Sequence, residues 1–261
     1  MTLQGKPMNQ PLTVQELVIV VAAKNLKPSI LSPDFLKYSG IIPGEWEFAK
    51  KPVVNNNEAR FSFKNGVNII AEPHRVIFAE GITKKTDDMV IIPEITRKYT
   101  QVLPGLDFQG IGINPRGFVA FAQEDAGRRF ITDKLLSPGD WQDEGEVAMR
   151  ASLNLMYKLQ RAPLALNITE AALNQKNKSI PIVIFSGSFS YQITGNSTEE
   201  KLSCANQVVE NCFTDISTFS DLINNKFLSD VTGNISLTEA SVKLAESNSE
   251  ESDLFAVGTG A

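Results

Sequence analysis

A chain of 261 residues with 42% hydrophobic and 21% charged residues can bury a sizeable core, as one large domain or as two fused modules. Its formal net charge of −5 and pI near 5.1 give no general attraction to a phosphate backbone or an anionic membrane. The basic pairs Lys84-Lys85, Arg97-Lys98 and Arg128-Arg129 stand isolated, so composition argues against a nucleic-acid partner. No segment approaches the roughly 20 apolar residues that cross a bilayer, which argues against a membrane one.

Residues 1–15, with Pro7 and Pro11, read as a loose leader without the apolar region of a secretory signal. From Glu16 to Ala23 the run ELVIVVAA is rich in β-branched residues and short enough for a strand covered on both faces. Ser32-Pro33-Asp34 opens a short helix, with Pro33 at a tolerated first position. Pro43-Gly44-Glu45-Trp46 follows, a composition suited to a type II turn that sets Trp46 against a sheet.

After an edge segment near Val53-Val54, residues 59–82 read as three short antiparallel strands. A three-residue loop at Lys64-Asn65-Gly66, with Gly66 left-handed, sets Phe63 opposite Val67 and Phe61 opposite Ile69. A tight turn at Glu72-Pro73-His74-Arg75 then sets Ala71 opposite Val76 and Ile69 opposite Phe78. In this register Phe61, Phe63, Val67, Ile69, Ala71, Val76 and Phe78 share one face. A two-residue loop would scatter them over both. The other face mixes Arg60, Ser62, Asn68 and Arg75 with Ile70 and Ile77.

Pro93 begins a helix of about three turns carrying Ile95, Tyr99 and Val102 at helical spacing, stopped by Pro104-Gly105. FQGIGIN is a strand whose Gly110 and Gly112 allow a helix, a bulge or a ligand to come close. Asn114-Pro115-Arg116-Gly117 reads as a turn, FVAFA as a return strand and Glu124–Leu136 as a helix with Phe130, Ile131 and Leu135 inward. Pro138-Gly139-Asp140-Trp141 closes this stretch. Residues 147–159, 162–169 and 180–194 are three longer strands, the last alternating Phe185, Gly187, Phe189 and Tyr191 with serines. Gly187 is read as relieving crowding on a twisted central strand.

A helix then starts at Ser197 or Thr198, with acids in its first turn and a break near Thr214–Thr218. Cys204 and Cys212 fall in one helical stretch, and eight residues of helix rise about 12 Å, too far for a bridge. They read as buried thiols of a reducing, cytoplasmic compartment. Residues 230–261 form an acidic tail whose composition favours flexibility.

Residues 16–106 and 107–229 therefore share one order: strand, short helix, Pro-Gly-acid-Trp, three or four strands, helix. An internal duplication explains this economically, although a tetrapeptide can recur by chance and identity outside the turn is poor. The expected fold class is α+β, a largely antiparallel sheet or sheets with helices on one side and an internal pseudo-repeat β-α-βββ(β)-α. That order resembles the TATA-binding-protein-like fold in arrangement only. The resemblance carries no site residues across, and the acidity argues against DNA binding by such a sheet.

Chemistry-bearing patterns are scarce. The chain has one histidine, His74, in a turn, and no metal-ligand or triad spacing can be built on it alone. The glycines fit neither GxGxxG nor GxxxxGK[ST]. No catalytic residue, metal ligand or cofactor is assigned. The expectation is a non-catalytic binding or assembly module that engages a protein or a small apolar ligand, or a second copy of itself, through an open sheet face or edge strand. Arg60, Asn68, Ile70, Arg75 and Ile77 are the candidate contact residues. The alternative is a carboxylate- or divalent-metal-dependent enzyme around Asp140–Glu146, Asp133 or His74.

Overall fold

Residues 12–83, 85–175, 178–229 and 231 are described by the computed structural model of the protein. Residues 1–11 of the expected 1–15 leader and, Val231 apart, the acidic tail lie outside the described residues, whereas Thr13, Val14 and Gln15 open the first strand instead of belonging to a leader. The strands are β1 (Thr13–Lys24), β2 (Val53–Val54), β3 (Ala59–Ser62), β4 (Val67–Glu72), β5 (Arg75–Gly81), β6 (Asp107–Ala120), β7 (Ser152–Lys158), β8 (Pro163–Gln175) and β9 (Lys178–Gln192). They make a single nine-stranded antiparallel sheet in the order β2-β3-β4-β5-β1-β6-β9-β8-β7. Sequence halves 16–106 and 107–229 thus share one sheet, joined where β1 pairs with β6.

The helices are α1 (Pro33–Tyr38), α2 (Ile92–Val102), α3 (Ala126–Arg129), α4 (Thr198–Glu210) and α5 (Cys212–Leu222). π-helical turns extend α3 over Phe130–Leu135 and α5 over Ile223–Phe227. Caps mark two starts: the Ser32 Oγ accepts from the Phe35 amide at 3.0 Å, and the Ser197 Oγ from the Glu200 amide at 3.2 Å. The fold is α+β with the helices on one side of the sheet.

Alternation along each strand decides which side is covered. In β1, Leu17, Ile19, Val21 and Ala23 are buried, whereas Val18, Val20 and Ala22 between them are half-buried. β1 is therefore not covered on both faces, as its apolar run suggested. Its aliphatic content reflects a place at the middle of the sheet.

The hairpins of β3, β4 and β5 adopt the expected register, with Phe61 opposite Ile69, Ala71 opposite Val76 and Ile69 opposite Phe78. Gly66 takes φ +86°, and the Phe63 amide donates to the Val67 carbonyl at 2.9 Å across the three-residue loop. Phe61, Phe78, Tyr99, Phe185, Phe189 and Phe219 are fully buried in the helix-side core. Each such side chain contributes about 1.5–3 kcal/mol of burial.

Three local expectations are corrected. Asn114–Gly117 is not a turn, because β6 runs straight through it. Pro115 lacks an amide hydrogen, and the β6–β9 ladder is interrupted there, between Ile113 opposite Phe189 and Arg116 opposite Ser186. Pro43-Gly44 is not a type II turn: Gly44 is absent from the positive-φ glycines, and the turn closes by the Trp46 amide donating to the Pro43 carbonyl at 3.3 Å. The helical break falls at Asn211, so Cys204 and Cys212 belong to different helices and are both unbridged. Gly187 does relieve crowding on β9, since a Cβ there would lie 2.8 Å from Cδ2 of Phe219 on α5.

The two Pro-Gly-acid-Trp segments are not equivalent. Trp46 meets Phe63 edge to face at 5.0 Å, while Trp141 is 53% exposed.

Candidate docking face

The side of the sheet opposite the helices is built by alternate residues, and the strand register fixes which of them are neighbours. One row runs Ser190, Gly112, Val20, Ile77, Ile70, Arg60 from β9 to β3. The next runs Ala165, Ser188 on β8 and β9, then Asn114, Val18, Ala79, Asn68, Ser62 from β6 to β3. A third joins Asn154, Asn167, Ser186, Arg116 and Glu16. The rows are small or β-branched across β1, β4 and β5, while amides, guanidinium groups and a carboxylate lie around that patch at Arg60, Asn114, Arg116, Glu16, Asn154 and Asn167.

The five candidate residues all lie on this face, on neighbouring strands. Arg60 is opposite Ile70, Ile70 opposite Ile77, and Asn68 opposite Ala79. Both arginines are tied to a carboxylate on the same surface. The Arg60 Nε donates to Glu58 Oε1 at 2.8 Å and the Arg75 Nε to Glu72 Oε2 at 2.6 Å. Exposed pairs of this kind add little stability. They do cancel positive charge, leaving a rim that is polar without being strongly basic.

Sequence reasoning confined the candidates to β3, β4 and β5. The face continues onto β1, β6 and β9 through Val18, Val20, Asn114, Ser186 and Ser188. The signal was present in the serine alternation of β9 and hidden in β1, where both faces are aliphatic. Near the middle of the face, Arg116 Nη1 lies 3.9 Å from Glu16 Oε2, directly across the β1–β6 pair. Burial pushes the Glu16 carboxyl above the usual carboxylate range, and Arg116 opposes that shift. The Asn114 Nδ2 donates to the Val18 carbonyl at 3.1 Å, so its amide is held flat against the strand.

At one end the face is closed. Phe118, Ala120, Leu173, Ile180, Ile182 and Ile184 form a second buried cluster on the side away from the helices. Glycines 110 and 112 lie on this side of the sheet, where a Cβ would meet the Tyr191 carbonyl at Gly110 and the Asn114 and Val20 side chains at Gly112.

Asp215 on α5 is buried and accepts from the Tyr191 Oη at 2.8 Å and the Arg161 Nε at 3.0 Å. Burial, reinforced by Asp215, pushes the Tyr191 phenol up to about 12. A cleft beside the ends of β8 and β9 is lined by Glu124, Arg128, Arg150, Glu170 and Ile182, and in it Arg150 is paired with Glu170. His74 is exposed in its turn. Among the described residues no three His, Cys, Asp or Glu side chains come together as a metal site would need. Among the same residues no helix is long and apolar enough to cross a membrane.

No family model matches this chain, and no curated protein matches it.

Proposed function

We propose that this chain is a non-catalytic binding module whose helix-free sheet face engages a protein partner. One observation carries the reading: Val18, Val20, Ile70, Ile77 and Ala79 form a half-exposed aliphatic patch across β1, β4 and β5, with no helix among the described residues packed on it. A small apolar ligand is favoured less, because such ligands are held in concave sites that enclose most of their surface. A sheet face that is aliphatic across β1, β4 and β5, with hydrogen-bonding groups around that patch, has the make-up of a protein interface. Arg60, Asn68 and Arg75 would supply that rim, with Ile70 and Ile77 inside it. The carboxylate- or metal-dependent enzyme has no favouring observation. The two unbridged cysteines support a reducing, cytoplasmic compartment.

Affinity capture from native lysate at low salt, comparing the wild-type chain with Val20→Asp/Ile77→Asp, tests the reading. The expected result is a specific protein retained by wild type and lost by the variant, with far-UV circular dichroism unchanged. Retention of the same proteins by both chains would contradict it.

A further inference from the structure

The two edges of the sheet are unlike. β2 is two residues long and follows Lys50-Lys51-Pro52, a short, basic, proline-flanked edge of the kind that resists pairing. β7 runs for seven residues with no proline and one charge, Lys158, at its end. Its outer side pairs with no strand among the described residues. On the helix side Leu153, Leu155 and Tyr157 pack against the core yet stay half-exposed, and on the other side Met156 is 74% exposed. An edge this long and bare presents a row of unpaired backbone donors and acceptors.

We propose that β7 pairs antiparallel with β7 of a second copy, about a two-fold axis through Leu155, joining two sheets into one. The proposal uses the edge of the sheet and stands apart from the reading of its face. A two-fold axis normal to the sheet keeps both helix layers on one side and pairs only residues that point the same way. Overlap of the whole strand is reached in one register alone, with Leu155 on the axis. Leu155 then faces its own copy and Leu153 faces Tyr157, so the helix-side core continues across the junction. Ala151 and Leu159, both partly buried against the core, come opposite each other just beyond the strand. On the other side Asn154 faces Met156, and Ser152 faces Lys158.

Charge favours a second copy over an unrelated peptide. The two Lys158 side chains fall at opposite ends of the pairing, each across from a neutral serine, so no like charges oppose. Leucine and tyrosine meet where half-exposed leucine and tyrosine need cover. The strand is complementary to itself in the one register that uses all of it.

Sedimentation velocity of the full chain over a concentration series tests this, with Ser152→Lys and Ser152→Glu as the variants. The wild type is expected to reach twice the 28.6 kDa chain mass. Ser152→Lys sets two Lys–Lys contacts into the dimer and should raise its dissociation constant by roughly 2- to 30-fold, whereas Ser152→Glu should lower it. A wild-type chain that stays monomeric throughout would overturn the proposal. So would a dimer that responds alike to both substitutions. A dimer dispersed by Val20→Asp and indifferent to position 152 would also overturn it, and would place self-association on the open face instead.

Discussion

The Glu80 carboxylate on β5 accepts from the amide of Ile92, the first residue of α2, at 3.0 Å, and from that of Ile91 at 2.9 Å. Lys85 Nζ reaches the same carboxylate at 2.5 Å. Glu80 is buried on the helix side of the sheet, so a strand residue caps a helix that lacks a side-chain cap of its own. Glu80→Ala should destabilise the chain by about 2–4 kcal/mol in urea unfolding, because two helix amides lose their acceptor. Glu80→Gln, which keeps one acceptor oxygen, should cost less.

Adjacent residues of β5 should respond very differently to truncation. Phe78 is fully buried and meets Tyr99 edge to face at 5.4 Å, whereas its neighbour Ile77 is half-exposed on the other side. Phe78→Ala should cost about 3–5 kcal/mol and Ile77→Ala about 1 kcal/mol or less, again by urea unfolding. Equal losses would mean that both faces are packed.

Alkaline pH should weaken the Tyr191–Asp215 contact. The Tyr191 phenol is raised from an ordinary 10.0 to about 12 in the folded chain, so the folded state holds this proton more tightly than the unfolded one. That contribution is fully present below pH 10.0 and is lost as pH rises toward about 12. The stability advantage of wild type over Tyr191→Phe should narrow across that window, followed by urea midpoints. A constant gap would show that the raised phenol is not linked to stability.

The same linkage acts on Glu16 in the acid range, so its cost is already present at neutral pH. Burial raises its carboxyl above the ordinary range, so the ionised form is disfavoured in the folded chain at neutral pH. Glu16→Gln should be more stable than wild type at pH 7, and the two should converge as pH falls through the raised pKa and below the ordinary one. Denaturant midpoints over an acid series read this directly.

Thiol reactivity should separate the cysteines. Cys212 is fully buried and burial pushes its thiol up to about 12, while Cys204 is half-exposed. Native protein should titrate with a disulfide reagent as one fast thiol, and unfolded protein as two. Two fast thiols in the native chain would contradict the packing of α5.

The stretch from β3 to β5 was legible because alternation, one left-handed glycine and one proline turn all agree on a single register. Phe61, Phe63 and Phe78 could be buried together in no other. Around Pro115 the same local signals pointed to a turn. There, a missing amide hydrogen costs less than interrupting a strand held by β1 and β9 on either side. Residue Glu80 could not be found from spacing, since its partners lie on another element and only the chain path from β5 to α2 brings them together. The extent of the open face was hidden for a related reason: in β1 Val18 and Val20 look like core, and only the placement of the described helices on the Ile19 side leaves them half-exposed.

The most direct test of the open face is the accessibility of position 77. In a Cys204→Ser background, which removes the half-exposed native thiol, an Ile77→Cys chain should react rapidly with a maleimide when purified, and should be protected in native lysate, where its partner is present. Slow reaction in the purified chain, or an equal rate in both conditions, would contradict the account.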